Sequence, residues 1–134
     1  MAATFEARLI SVSIDRPVEV VYDFASKPEN LPKWASGLGQ SITKMGDAWR
    51  VETPQGPLQV RFTARNNFGV LDHYVLPGSG PEIYLPMRVV ANGAGSEIIF
   101  TLFRLPGISE EKFAADADWV RRDLKALKAL LEGE

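Results

Sequence analysis

A chain of 134 residues, 46% hydrophobic and 24% charged, suits one domain with a substantial core. A formal charge of −2 offers no positive field to nucleic acid or an anionic membrane, and zero cysteines with a single histidine exclude a disulfide framework, a thiol nucleophile and an ordinary zinc site. The opening MAATFEARLISV lacks the basic head and apolar run of a signal peptide, and no run of about 18 apolar residues occurs, so a cytoplasmic protein without a membrane segment is expected.

Residues 4 to 14, TFEARLISVSI, end in alternation at Ile10, Val12 and Ile14, which predicts a strand with one buried face. Asp15, Arg16 and Pro17 then start a short helix, with Pro in the first turn where its missing N–H costs nothing. Its apolar side is Val20, Val21 and Phe24, and it ends near Ser26. Lys27 and Pro28 break it, and PENLPKWA predicts a second short helix or turn presenting Leu31 and Trp34 together.

From Gly37 onward turn signals recur about every ten to twelve residues, the spacing of an antiparallel meander. They fall at Gly46-Asp47, Pro54 to Pro57, Asn66 to Gly69, Pro77 to Pro81 and Asn92 to Gly95. Closing each turn tightly fixes the pairing. Around Asn67-Phe68, Ala64 opposes Leu71, Phe62 opposes His73 and Val60 opposes Val75. Around Gly78 to Gly80, Val75 opposes Ile83, His73 opposes Leu85 and Leu71 opposes Met87. Around Gly93-Ala94, Met87 opposes Phe100, Val89 opposes Ile98 and Leu85 opposes Leu102.

These registers agree, and place Val60, Phe62, Leu71, His73, Val75, Leu85, Met87, Val89, Ile98, Phe100 and Leu102 on one face, joined by Trp49 and Val51. The other face carries Arg50, Glu52, Arg61, Arg65, Asp72, Arg88 and Glu97, with Asp72 diagonal to both Arg61 and Arg65 as an ion pair wants. Tyr84, Val90, Ile99 and Phe103 fall there too. That is more apolar area than a wet surface shows, so a homodimer or other contact is expected over the outer face of the last two strands.

The last stretch, residues 109 to 132, repeats Phe113, Ala117, Val120, Leu124, Leu127 and Leu131 at alternating steps of four and three, the stripe of an amphipathic helix. Ser109 is its N-cap, Glu110 and Glu111 fill the first turn, Arg121, Arg122, Lys125 and Lys128 the second half, and Gly133 stops it. A helix this long must bury its stripe, and the remaining chain is mostly strand. The economical solution is a curved sheet closing on it.

Strand, two short helices, six-strand meander and long C-terminal helix resembles the order of elements in the START-like (SRPBCC) superfamily. SIDRPVEVVYDFASKPENLPKWA is similar to the opening of that family, and GVLDHYVLP with LPMRVVANGAGSEIIFTLFRLPGIS resembles its bacterial branch of polyketide cyclase or dehydrase-like proteins. The resemblance implies an α+β helix-grip fold over residues 1 to 134: a seven-stranded antiparallel sheet wrapped around the C-terminal helix, with two short helices between strands one and two and a pocket between sheet and helix. The superfamily hosts carriers, cyclases and interaction modules on one scaffold and has no universal catalytic residues, so none carries over.

The face derived from the registers then becomes the lining. Trp34, Trp49, Phe62, Leu71, His73, Leu85, Met87, Phe100, Leu102 and Arg104 are the candidate ligand-binding residues. His73 is the catalytic candidate: a polar group among apolar ones, able to donate to a ligand carbonyl or to serve as acid or base. Plain core packing is the competing reading for His73 and for both tryptophans, whose N–H groups and broad faces otherwise suit a planar ligand. Arg104 shares the parity of Ile98, Phe100 and Leu102 and either meets an anionic ligand or leaves the strand end for solvent. Asp72 beside His73 does not make a dyad, because neighbours in a strand point to opposite faces. GSGPE and NGAGS lack the strand-to-helix context of a phosphate cradle. The expected function is binding or transport of a hydrophobic small molecule, without cofactor or metal. The alternatives are a cyclase or dehydratase using His73, and a module resembling the heat-shock ATPase activators.

Overall fold

The computed structural model describes residues 3–35, 41–53, 56–78 and 80–133. In chain order these form β1 (Ala7–Ile14), α1 (Val18–Ala25), a 3-10 turn (Pro28–Asn30) and α2 (Leu31–Trp34). There follow β2 (Ile42–Met45), β3 (Ala48–Thr53), β4 (Gly56–Phe62), β5 (His73–Leu76), β6 (Ile83–Leu85), β7 (Met87–Asn92), β8 (Gly95–Phe103) and α3 (Glu110–Glu132). The expected turn positions Gly37, Pro54, Gln55 and Ser79 lie outside the described residues.

The α+β architecture and the long final helix are as expected, but the single seven-stranded sheet is not. Eight strands among the described residues form two antiparallel sheets, ordered β1-β8-β7 and β2-β3-β4-β5-β6. The cause is Pro86, which interrupts what the turn spacing presents as one strand: without an N–H it cannot donate to a ladder, and β6 ends before it and β7 begins after it. Leu85 and Leu102 therefore do not meet in a ladder. The seam is stitched by single bonds in the same register, from Thr101 N–H to the Pro86 carbonyl (3.0 Å), Leu71 N–H to Met87 (2.8 Å) and Val89 N–H to Gly69 (2.9 Å). At the last of these Gly69 has φ +70°, and a Cβ there would stand 2.2 Å from the Val89 carbonyl oxygen, so only glycine fits.

Within each sheet the expected pairs stand: Phe62 with His73, Val60 with Val75, His73 with Leu85, Val75 with Ile83, Met87 with Phe100 and Val89 with Ile98. Asp72 departs from its expected role. It keeps its parity on the convex side, yet it is buried and pairs with neither Arg61 nor Arg65. Its carboxylate accepts from the Met87 N–H (2.8 Å), the Tyr84 hydroxyl (3.1 Å) and Arg88. Arg61 pairs with Glu82 and Arg65 with Asp23 instead.

Helix α3 forms as its caps dictate: Ser109 Oγ accepts the Lys112 N–H at 3.1 Å and Gly133 closes the helix at φ 77°. Phe113, Ala117, Leu124, Leu127 and Leu131 are buried and Val120 half-buried, mainly against β1, α2 and β8. Its C-terminal end is tied to the turn after β1, where Arg16 donates to the Leu131 carbonyl (2.6 Å) and Glu132 accepts the Asp15 N–H (2.8 Å). In α1 Val21, Tyr22 and Ala25 are buried, Val20 and Phe24 are half-buried against the core, and the Tyr22 hydroxyl accepts the Asn66 N–H at 2.8 Å.

Candidate functional site

Because α3 lies on the three-stranded sheet, the two sheets differ on their inner sides. Under the helix, Ile10, Ile14, Met87, Val89, Ile98, Phe100 and Leu102 are all buried. On the five-stranded sheet the same side is sealed only along its middle, at Val51, Val60, His73 and Val75, while Ile42, Trp49, Leu58, Phe62, Ile83 and Leu85 remain half-buried. A belt of half-buried apolar residues thus flanks the buried His73 on this side of the sheet.

Register puts His73 directly between Phe62 and Leu85. Its ring stacks on Phe62 (centroids 5.7 Å apart) and meets Phe100 edge-on at 6.2 Å. The residue is 5% exposed, and its Nδ1 lies 3.1 Å from the Leu71 carbonyl oxygen. A carbonyl only accepts, so Nδ1 carries the proton. Burial holds the imidazole below its ordinary value of 6.5, opposed by the Leu71 bond and the charge of Asp72. The ring is therefore neutral at neutral pH, and its Nε2 keeps a lone pair that no described residue meets. The group left over is an acceptor rather than the expected donor.

A pH dependence follows. The unfolded chain takes up a proton at a higher pH than the folded one, so the stability due to neutral His73 is present above about pH 6.5 and lost as pH falls through the folded value. Wild type should lose stability relative to His73→Leu below pH 6.5, with a slope of at most about 1.4 kcal/mol per pH unit. Denaturant titrations of both proteins from pH 8 to 5 check this, and parallel curves would refute it.

The other candidates distribute as follows. Leu71, Met87, Phe100 and Leu102 are core residues; Trp49, Phe62 and Leu85 are half-buried. Trp34 is 6% exposed, and its Nε1–H has no hydrogen-bond partner among the described residues. Arg104 closes the connection from β8 to α3, with Nε donating to the Ile108 carbonyl (2.8 Å) and Nη1 3.4 Å from Glu6. Asp72 and His73 point apart, as strand geometry requires.

Sequence reasoning missed a surface depression of about 630 Å³ between α1 and the end of α3, walled by Arg16, Asp23 and Arg65 over Val20, Phe24 and Leu130. Its only sequence signal is that Val20 and Phe24 exceed what the buried side of α1 uses. Among the described residues no three His, Cys, Asp or Glu side chains group as metal ligands, and no helix is long and apolar enough to cross a membrane.

No family model and no curated protein matches the chain. Solved structures do match its fold. A Bacillus thuringiensis protein is 17% identical with a TM-score of 0.75, covering 95% of this chain and 99% of that one. Ara h 8.0201 is 15% identical with a TM-score of 0.73, covering 96% and 99%. The Aha1 dimer from Colwellia psychrerythraea is 15% identical with a TM-score of 0.73, covering 95% and 96%. At such identities the likeness is one of fold alone, and it is consistent with a helix-grip arrangement of sheet and C-terminal helix.

Proposed function

We propose that the chain binds a hydrophobic small molecule between the inner side of the five-stranded sheet and α3, acting as a single domain. The observation that carries this reading is the half-buried belt of Trp49, Phe62, Ile83 and Leu85 on the inner side of the five-stranded sheet, beside a sealed core. A fold whose interior served stability alone would bury this side as thoroughly as it buries the inner side of the smaller sheet. Extraction of the natively isolated protein followed by mass spectrometry should recover an apolar compound from wild type and not from Phe62→Asp, which sets a charge on the belt. Recovery of nothing from wild type, with no uptake of an apolar dye either, would sink the reading.

A cyclase or dehydratase reading has less support. General acid–base work on a folded poly-carbonyl chain needs a second group near His73, and the adjacent carboxylate, Asp72, is committed to Met87, Tyr84 and Arg88 on the opposite face.

Assembly rests on the convex side. Val90 is 44% and Tyr84 40% exposed, Ile99 and Phe103 are half-buried, and Leu9 of β1, aligned with Thr101 of β8, adds a side chain that is 71% exposed. An apolar surface running across three adjacent strands fits a second copy of the chain, and the Aha1 neighbour is itself described as a dimer. Sedimentation velocity should show a dimer that Leu9→Lys combined with Val90→Lys converts to monomer; a concentrated wild type that stays monomeric removes the homodimer.

A further inference from the structure

The depression between α1 and the end of α3, about 630 Å³, has the size of a small-molecule site, and none of its lining residues belongs to either sheet. The chain as a whole carries a charge of −2, yet three cations, Arg16, Lys27 and Arg65, line this depression against two carboxylates, Glu19 and Asp23. Arg16 is committed to the Leu131 carbonyl (2.6 Å) and Glu19 balances its charge, so the positive excess gathers around Asp23. That one carboxylate is shared: Lys27 Nζ stands 3.2 Å from one of its oxygens and Arg65 Nη2 3.1 Å from the other. The Arg65 guanidinium is held over the Tyr22 ring at 5.2 Å. Lys27 spends one of its three N–H donors on Asp23 and meets no other acceptor among the described residues. Lys33, 5.9 Å over the Phe24 ring, adds a further positive charge at the edge. Beside these charges the lining is apolar, with Val20 and Phe24 half-buried and Leu130 46% exposed.

We infer that this depression binds an amphipathic monoanion, a carboxylate carried on an apolar chain, with the chain on Val20, Phe24 and Leu130 and the carboxylate on Lys27 and Arg65. An uncharged apolar molecule leaves the positive excess uncompensated, and a cation adds to it. The site is separate from the one proposed on the five-stranded sheet and does not rest on it.

The test uses octanoate, 1-octanol and octylammonium, which share one chain and differ in charge, in calorimetric and NMR titrations of the whole chain. Octanoate should bind about three- to tenfold more tightly than octanol, with octylammonium weakest. Lys27→Gln balances the local charge, so it should bring octanoate to within about twofold of octanol while leaving octanol unchanged. Raising the salt from about 20 to 300 mM should have the same effect on wild type. Amide shifts on adding octanoate should cluster at Val20, Phe24, Lys27 and Leu130. Equal affinity for all three compounds, or an octanoate preference that survives Lys27→Gln, overturns the assignment. Shifts confined to the five-stranded sheet overturn it while supporting the binding function proposed above. Octanoate binding weaker than about 10 mM overturns it and leaves that function to its own test.

Discussion

Leu124→Asp is expected to abolish cooperative folding or to lower the thermal midpoint by more than about 15 °C. Leu124 is 1% exposed in the middle of the α3 stripe, between Ala117 and Leu131, where the helix meets the smaller sheet. Removing a buried Leu side chain costs about 2–5 kcal/mol even when the replacement is Ala, and a carboxylate adds the cost of a charge in an apolar site. The sum approaches the whole stability of a domain, about 5–15 kcal/mol. At about 4 °C per kcal/mol for a chain of this size, the shift is unmistakable. Leu130→Asp is the control, since Leu130 is 46% exposed on the same helix and should move the midpoint by only a few degrees. Thermal melts followed by circular dichroism decide it, and an unchanged midpoint for Leu124→Asp would mean that α3 docks by another face.

The stripe was legible because a helix and its caps are local: the spacing of Phe113 to Leu131, Ser109 before it and Gly133 after it all lie within one stretch of chain. The pairing of Phe62, His73 and Leu85 was legible for a related reason. Each hairpin fixes its own register, and agreement among hairpins leaves little freedom. What sequence did not yield depends on distant groups meeting. Parity says that His73 faces inward, but the tautomer depends on the Leu71 carbonyl two residues back, reached only once the strand and the ring orientation are fixed. The depression between α1 and α3 is walled by residues from Arg16 to Leu131, and the nearby bond from the Asn66 N–H to the Tyr22 hydroxyl spans 44 positions.

Pro86 shows the same limit from the other side. Its effect on a ladder is local and readable, and it ends β6, but where the bonds interrupted there are made good is not. The next N–H, that of Met87, lies in a buried residue, and the nearest way to satisfy it is a side chain reaching across the seam. Asp72 supplies it. The same carboxylate takes the Tyr84 hydroxyl from β6 and Arg88 from β7, so one side chain bridges both sides of the interruption.

Asp72→Ala should therefore cost about 3–5 kcal/mol, far more than an exposed ion pair is worth, because it leaves a buried N–H and a hydroxyl without their acceptor. Asp72→Asn keeps an oxygen for Met87 and should cost about 1–3 kcal/mol. Successive strand residues face opposite sides, so the group that clamps the seam is the neighbour of the buried His73. Loosening Asp72 should therefore disturb the strand that carries His73, and Asp72→Asn should disturb it less than Asp72→Ala. Hydrogen exchange at the Met87 amide gives the direct readout. Protection there should fall sharply in Asp72→Ala and little in Asp72→Asn, and equal protection in both variants and wild type would show that the seam is held by its backbone bonds alone.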